Sequence, residues 1–144
     1  MVKALDLSHL SAASTLHQAS FDKGWNESDL KPHIERDLCL GVFEGRGLQA
    51  FVIISIAADQ SEILTIAVSP EHRKKGLAKA LLGAAHNILA EKGVNIIFLE
   101  VAIDNIAAKA LYRYLGYEPF GTRPAYYKRP KGRVAAALFR KKLG

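Results

Sequence analysis

The sequence predicts an α/β protein with one central mixed, mostly antiparallel sheet and helices on both of its faces. Apolar, β-rich runs alternate with amphipathic segments in the order β α α β β β α β α β β. Glycines flank a short loop at residues 45–47, as expected of an antiparallel hairpin. A strand–helix–strand unit around Gly76 implies one parallel crossover. The 144 residues are enough for one core, so we expect a single domain over residues 1–144.

The N-terminal third is expected to supply one strand and two helices. The strand covers Val2 to Leu5, and the first helix opens at Ser8, an acceptable N-cap. The second helix has Asn26 as its N-cap, with Asp29 three residues later in the manner of a capping box. Because proline lacks the backbone N–H and clashes with the preceding turn, Pro32 is expected to interrupt this helix unless the helix begins close to it.

The remainder is predicted from apolar runs and the residues that end them. "LCLGVFE" and "LQAFVIISIAA" predict a hairpin, and "SEILTIAV" predicts the next strand. A helix follows from Gly76 to about Lys92 and ends at Gly93. "VNIIFLEVA" predicts a buried strand, and Asn105 and Gly116 bound the last helix. "YEPFGT" and "RVAAALFRKKL" predict the final strands, with "RPAYYKRPKG" as the loop between them.

Composition excludes several classes of protein. Cys39 is the one cysteine, so a disulfide framework is excluded, no zinc spacing is present, and we expect no metal site and a cytoplasmic location. No run reaches the roughly 18–20 apolar residues of a membrane span, so no membrane partner is expected. The first twenty residues contain Asp6, His9 and His17 and do not resemble a signal peptide.

Basic residues are unevenly distributed. The net charge is +6, and residues 105–144 contain ten basic side chains against one acidic residue, Glu118. Such a surface attracts nucleotides, phosphate or RNA, although a surface that only keeps the protein soluble is an equally open interpretation.

Three cations, Arg73, Lys74 and Lys75, lead directly into the helix that starts at Gly76. Cations are disfavoured there because a helix N-terminus carries partial positive charge. A phosphate bound to the free N–H groups of the first turn would make them favourable. Neither the P-loop spacing nor the Gly-x-Gly-x-x-Gly fingerprint is present. The pattern favours a pyrophosphate site over a solvated basic loop.

Several motifs resemble one enzyme family. "IAVSPEHRKKGLAKALL" resembles the acetyl-CoA motif of the GCN5-related N-acetyltransferases (GNAT), Arg/Gln-x-x-Gly-x-Gly/Ala after a strand, with Arg73, Gly76 and Ala78 at the signature positions. "FLEVAIDNIAAKALYRYLGYEPFGTRPAYY" is similar to the second half of the bacterial ribosomal-protein-alanine N-acetyltransferases, and "SFDKGWNES" is similar to the segment between their first two helices. The resemblance implies the GNAT acyl-CoA N-acyltransferase fold.

The resemblance implies acetyl-CoA as the cofactor and assigns residues to it. One strand would bind the pantetheine arm through its backbone, the following loop would surround the pyrophosphate, and the last helix would contact the arm. The implied residues are Ile66, Ala67, Val68, Arg73, Lys74, Lys75, Gly76, Leu77, Ala78, Lys79, Asn105 and Tyr112.

Two catalytic residues are implied. Glu100 matches the glutamate of the Leu-Glu-Val motif, which would act as general base, and it shares its side of the strand with Ile96 and Phe98. Apolar surroundings disfavour the charged form of a carboxylate, which suits a base. A strand-end glutamate in a salt bridge is the alternative. Tyr112 matches the tyrosine that would protonate the departing thiolate, and an ordinary core tyrosine is the alternative.

The acceptor is implied less directly. Trp25, Tyr126 and Tyr127 are expected to border the acceptor groove, with Glu62 as a second carboxylate, while Trp25 could equally be a core anchor. The resemblance implies acetylation of the N-terminal amine of a small-subunit ribosomal protein, near ribosomal RNA. A polyamine or aminoglycoside acetyltransferase and a non-catalytic module that binds CoA or RNA are the alternatives. The sequence leaves the oligomeric state open.

Overall fold

One seven-stranded mixed sheet forms the centre of the protein in a computed structural model that describes residues 2–129 and 132–144. The strands are β1 (Val2–Ala4), β2 (Leu38–Glu44), β3 (Gly47–Ala57), β4 (Gln60–Val68), β5 (Ile96–Ala102), β6 (Glu118–Arg129) and β7 (Gly132–Lys142). Their spatial order is β1-β2-β3-β4-β5-β7-β6, and only the β4–β5 pair is parallel. The predicted fold class is confirmed.

Helices cover both faces of the sheet, as predicted. They are α1 (Leu10–Ser20), α2 (Glu27–Arg36), α3 (Leu77–Glu91) and α4 (Ile106–Tyr114). Leu16 of α1 and Leu30 of α2 pack with Phe51 on one face, which we call the α1/α2 face. Leu82 of α3 and Tyr112 of α4 belong to the core on the opposite, α3/α4 face. None of the helices in the described residues is both long and apolar enough to span a membrane.

The first helix does not open at Ser8, so that prediction is wrong. A 3-10 turn, Leu7–His9, precedes α1, and Asp6 is its N-cap. The Asp6 carboxylate accepts a hydrogen bond from the Ser8 backbone N–H at 2.8 Å. The Asp6 N–H in turn donates to His9 Nδ1 at 3.0 Å. A carboxylate two residues earlier therefore caps the chain in place of the serine.

The predicted capping box of α2 is confirmed, whereas the expected break at Pro32 is wrong. Asn26 Oδ1 accepts from the Asp29 N–H at 2.9 Å, and the Asp29 carboxylate accepts from the Asn26 N–H at 2.9 Å. The helix continues through Pro32. Burial of Leu30 and Ile34 on either side of the proline offsets the hydrogen bond that proline cannot make.

The segment between the last two predicted strands is not a loop. β6 extends to Arg129, so most of "RPAYYKRPKG" is strand. Its register against β7 shifts between Arg123 and Tyr127, which accommodates Pro124 at the outer edge of the sheet. β7 lies between β5 and β6, so the last strand of the chain pairs with both of them.

β4 is irregular along both of its edges. In its pairing with β3, Ile53 lies opposite Thr65 and Ile54 opposite Ile63, which leaves Leu64 as a bulge. The parallel pairing with β5 runs only from Gln60 to Glu62 and has no further pairs in the described structure. Beyond this point the rest of β4 has no strand neighbour on its β5 side.

Candidate active site

The gap between β4 and β5 is the first component of the site. Glu62 opposite Phe98 is the last β4–β5 pair, while β4 continues to Val68. Backbone N–H and C=O groups on an open strand edge can pair with an extended ligand. The predicted backbone positions Ile66, Ala67 and Val68 all lie on this stretch of β4.

The start of α3 is the second component. Gly76 is the N-cap residue in the left-handed region, with φ of 77°, and no side chain caps the helix. Lys74 is also left-handed, with φ of 64°. Leu77 and Ala78 occupy the first turn, which contains no acidic residue. Backbone N–H groups in such a turn form a concave site for an anion.

Positive charge surrounds this turn. Arg73, Lys74, Lys75 and Lys79 are exposed, and none forms a salt bridge within residues 2–129 and 132–144. Lys79 Nζ instead donates to Tyr114 Oη at 3.0 Å. Uncapped N–H groups beside unpaired cations fit a pyrophosphate, and the open edge of β4 that leads to them fits an extended pantetheine arm.

The third component is a cleft of about 410 Å³ on the α1/α2 face. We call it the carboxylate cleft, and its lining includes Glu62, Phe98, Glu100, Phe120 and Arg123. The rings of Phe98 and Phe120 meet edge to face at 5.7 Å between centroids. The structure therefore brings together two of the carboxylates singled out in the sequence, on one side of the strand gap.

Glu100 forms an ion pair with Arg123. Glu100 Oε1 lies 2.6 Å from Arg123 Nη2, and the glutamate side chain is 20% exposed. Its neighbours Leu99 and Val101 are buried on the α3/α4 face, so Glu100 points to the opposite face with Phe98, as the alternation predicts. The salt bridge that stood as the alternative for Glu100 is present, and the base role stays a prediction.

Tyr112 lies on α4, in the core of the α3/α4 face. Its ring packs edge to face on Tyr117 at 5.6 Å and contacts Phe139 at 6.3 Å, between centroids. Burial raises the pKa of Tyr112 to about 12, and proximity to Tyr127 adds to the increase. The Tyr127 hydroxyl also lies 3.5 Å from the Glu100 carbonyl oxygen. Tyr127 thus lies near both predicted catalytic residues.

Residues 10–117 match the Acetyltransferase (GNAT) family. This chain belongs to that family. It is 31% identical over 138 residues to the [ribosomal protein bS18]-alanine N-acetyltransferase of Escherichia coli K12. The aligned region covers 95% of this chain and 93% of the relative. The crystal structure of the ribosomal-protein-S18-alanine N-acetyltransferase from Escherichia coli superposes with a TM-score of 0.95 at 30% identity, covering 100% of this chain and 94% of that one.

The GNAT fold also appears in a Salmonella typhimurium structure solved with its cofactor acetyl-CoA, with a TM-score of 0.86 at 16% identity over 100% of this chain and 94% of that one. Membership of the family makes this chain an acetyl-CoA-dependent N-acetyltransferase. The predicted family, enzyme class and cofactor are confirmed.

Asn105 of this GNAT acetyltransferase is the N-cap of α4. Its Oδ1 accepts a hydrogen bond from the Ala108 N–H at 3.1 Å. The predicted capping role is confirmed. Asn105 lies seven residues before Tyr112, so both belong to one stripe of the helix. Because capping uses the amide oxygen, the amide NH₂ group remains for the predicted contact with the cofactor.

The predicted acceptor aromatics occupy different environments. Trp25 stacks between His17 and His33, at 4.9 and 5.3 Å between ring centroids, and packs against the α1/α2 core. The core-anchor interpretation of Trp25 therefore fits its surroundings, and its contact with an acceptor stays a prediction. The side chain of Tyr126 lies outside the described residues.

The sequence patterns do not predict the role of Arg123 in the cleft or the contact of His17 with β4. In the sequence Arg123 is one cation of a basic region, and its pairing with Glu100 depends on β7 lying between their strands. His17 connects α1 to β4 through Nε2, 2.9 Å from Thr65 Oγ1, while its Nδ1 accepts from the Trp25 N–H at 2.9 Å. In the sequence, the one indication of this role is that His17 occupies a position on the apolar side of α1.

Proposed function

We propose that this acetyltransferase acetylates the N-terminal α-amine of a ribosomal protein, with Glu100 as general base and Tyr112 as general acid. The observation that carries the proposal is the position of the carboxylate cleft beside the gap between β4 and β5. An acceptor amine in the cleft would meet Glu100 at the place where the open edge of β4 receives the pantetheine arm.

The relatives support the choice of acceptor. The Escherichia coli enzyme, similar over 95% of this chain, is named for the alanine of ribosomal protein bS18. In the cleft, Glu62 and Glu100 are suited to an ammonium group, and Phe98 and Phe120 are suited to apolar parts of a peptide. The basic surface of residues 105–144 is consistent with an acceptor near ribosomal RNA.

The proposed chemistry divides two proton transfers between the chain's own residues. When bound, acetyl-CoA would supply the acetyl group as a thioester, whose C–S bond breaks as the C–N bond to the acceptor amine forms, and coenzyme A would leave as its thiol after taking the proton that Tyr112 donates. Glu100 accepts a proton from the acceptor ammonium, directly or through water, while Arg123 fixes its carboxylate. Tyr112 retains its proton at neutral pH because its pKa is about 12, so the acid form is the one present.

Mass spectrometry tests the acceptor. Ribosomal proteins are incubated with the enzyme and acetyl-CoA, and their intact masses are recorded. We expect one added acetyl group on one small-subunit protein, and none when its N-terminus is chemically blocked beforehand. A ribosomal protein set without any added acetyl group would contradict the acceptor. Release of thiol with a polyamine or aminoglycoside would favour a small-molecule acceptor instead.

Glu100→Gln tests the base. The amide has nearly the same shape as the carboxylate but cannot take the proton, so we expect turnover to fall by about 10²–10⁴-fold. Affinity for acetyl-CoA should be unchanged, because Glu100 is not among the residues assigned to the cofactor. Glu91→Gln, on the exposed last residue of α3, is the matched control and should keep full turnover. Full turnover by Glu100→Gln would refute the assignment.

A further inference from the structure

Tyr114 is a large aromatic side chain on the surface, next to the start of α3. It lies in the last turn of α4 and is 70% exposed. Lys79 Nζ donates to its hydroxyl at 3.0 Å and lies 4.4 Å from the ring centroid. This hydrogen bond also lowers the pKa of the Tyr114 hydroxyl. A cation therefore holds one face of the ring, and the exposure of the side chain leaves the other face open.

Lys79 connects this ring to the predicted pyrophosphate site. It follows Gly76 by three residues, which is about 4.5 Å along a helix. It forms no salt bridge within the described part of the chain, and the first turn of α3 contains no acid. An ammonium group has three donors, and Tyr114 uses one of them. Two donors remain for a phosphate beside the helix start.

We propose that Tyr114 stacks against the adenine ring of the cofactor on its open face, with Lys79 positioning the tyrosine and contacting the cofactor's phosphates. This inference rests on the proposed placement of the pyrophosphate at Gly76. The adenosine of CoA is joined directly to that pyrophosphate, so its purine lies within a few bonds of the anion site. Tyr114 and Lys79 then bind the nucleotide end of the cofactor, away from the reacting thioester.

The local chemistry suits a purine. Every base has a π-face, and stacking on an aromatic side chain tolerates any orientation of its edges. The hydrogen bond from Lys79 restrains the tyrosine ring, which lowers the entropy lost when a base stacks on it. Lone exposed aromatic residues are common and need no explanation. Here the ring is restrained by a cation that pairs with no carboxylate among the described residues and lies one helical turn from an uncapped helix start.

Isothermal titration calorimetry with CoA and with 4′-phosphopantetheine, which lacks the nucleotide, tests this inference. We expect Tyr114→Ala to weaken CoA binding by about five- to hundredfold, the range observed for base stacking on aromatic residues. Binding of 4′-phosphopantetheine should be unchanged. Tyr114→Phe keeps the ring but loses the hydrogen bond that restrains it, so its loss of CoA affinity should be about two- to tenfold and smaller than that of Tyr114→Ala.

Lys79→Gln should weaken CoA binding about tenfold, the effect of losing one hydrogen bond from a charged group. Lys3→Gln is its matched control, because the Lys3 ammonium also lies over a ring, 4.5 Å from the Phe43 centroid, but at the β1–β2 edge of the sheet. Unchanged CoA affinity in Tyr114→Ala, or equal losses with both ligands, would overturn the inference while leaving acetyl transfer intact. Wild-type protein that binds no CoA would overturn the proposed cofactor placement as well.

Discussion

At the scale of single residues, the two predicted catalytic groups have contrasting environments. Glu100 is partly exposed in the carboxylate cleft and paired with Arg123. Tyr112 is 6% exposed and belongs to the α3/α4 core. A carboxylate held by a cation remains accessible to an acceptor, whereas a buried phenol keeps its proton. The accessible carboxylate suits a base, and the buried phenol that keeps its proton suits an acid.

Tyr112→Phe removes the hydroxyl and keeps the ring, so it tests the acid role without removing the packing. The ring contacts with Tyr117 and Phe139 survive, so the variant should fold with nearly wild-type stability. Turnover should fall by about 10²–10⁴-fold because the acid is absent. Tyr117→Phe is the matched control: it removes a buried hydroxyl bonded to His86 and should lower the melting temperature without lowering turnover. Steady-state kinetics showing full turnover in Tyr112→Phe would eliminate the acid role.

At the scale of elements, α3 lacks the side-chain N-cap that stabilises the starts of α2 and α4. Asn26 and Asn105 cap α2 and α4 with side-chain oxygens, and α3 begins at a glycine that caps nothing. A Ser, Asn or Asp at an N-cap typically adds about 0.5–2 kcal/mol relative to alanine. The absence of such a cap leaves the first N–H groups available to a ligand, at a cost in stability.

Gly76→Trp and Gly45→Trp form a matched pair that tests this element. Both glycines are left-handed, with φ of 77° and 59°, and an added Cβ would meet nothing within 4 Å at either site. Each variant should therefore fold and lose a similar amount of stability, about 1–2 kcal/mol. Only Gly76→Trp should lose acetyl-CoA binding by calorimetry, because Gly45 lies in the β2–β3 turn. Unchanged affinity in Gly76→Trp would refute the phosphate placement.

What the sequence predicts well is local. The Asn26–Asp29 box and the glycine at the start of α3 depend on residues a few positions apart, and the structure has both. The Glu100–Arg123 pair could not be predicted in this way. It requires β7 between β5 and β6 and a register shift in β6 near Arg123, and both depend on the packing of the whole sheet. The helix continues through Pro32 because burial of Leu30 and Ile34 outweighs the local penalty of the proline.

At the scale of the whole molecule, each sheet face contains a histidine held neutral. Burial lowers the pKa of His17 on the α1/α2 face. Burial, with a contribution from Lys141, lowers the pKa of His86 on α3 to about 4. His86 Nε2 lies 2.7 Å from Tyr117 Oη, and His17 contacts Thr65, so both imidazoles connect a helix to the rest of the fold.

These histidines predict acid sensitivity. Between their folded pKa values and the unfolded value of 6.5, the unfolded chain binds more protons than the folded chain. Stability should therefore be constant above about pH 6.5–7 and fall as the pH decreases towards about 4. Thermal unfolding across this range should show a declining melting temperature, with a shallower decline in His86→Gln. If the melting temperature falls equally steeply with pH in the variant and the wild type, His86 does not contribute to the acid sensitivity.

The sheet order has a consequence for how the enzyme is made. β5, which contains Glu100, pairs along its full length only with β7. The ribosome synthesises β6 before β7, so Arg123 leaves the exit tunnel with no strand to hold it beside its glutamate. The carboxylate cleft is therefore assembled only after residues 132–142 have emerged and inserted between the two strands. A nascent chain that stops before residue 132 contains both predicted catalytic side chains but lacks the strand that brings Arg123 beside Glu100.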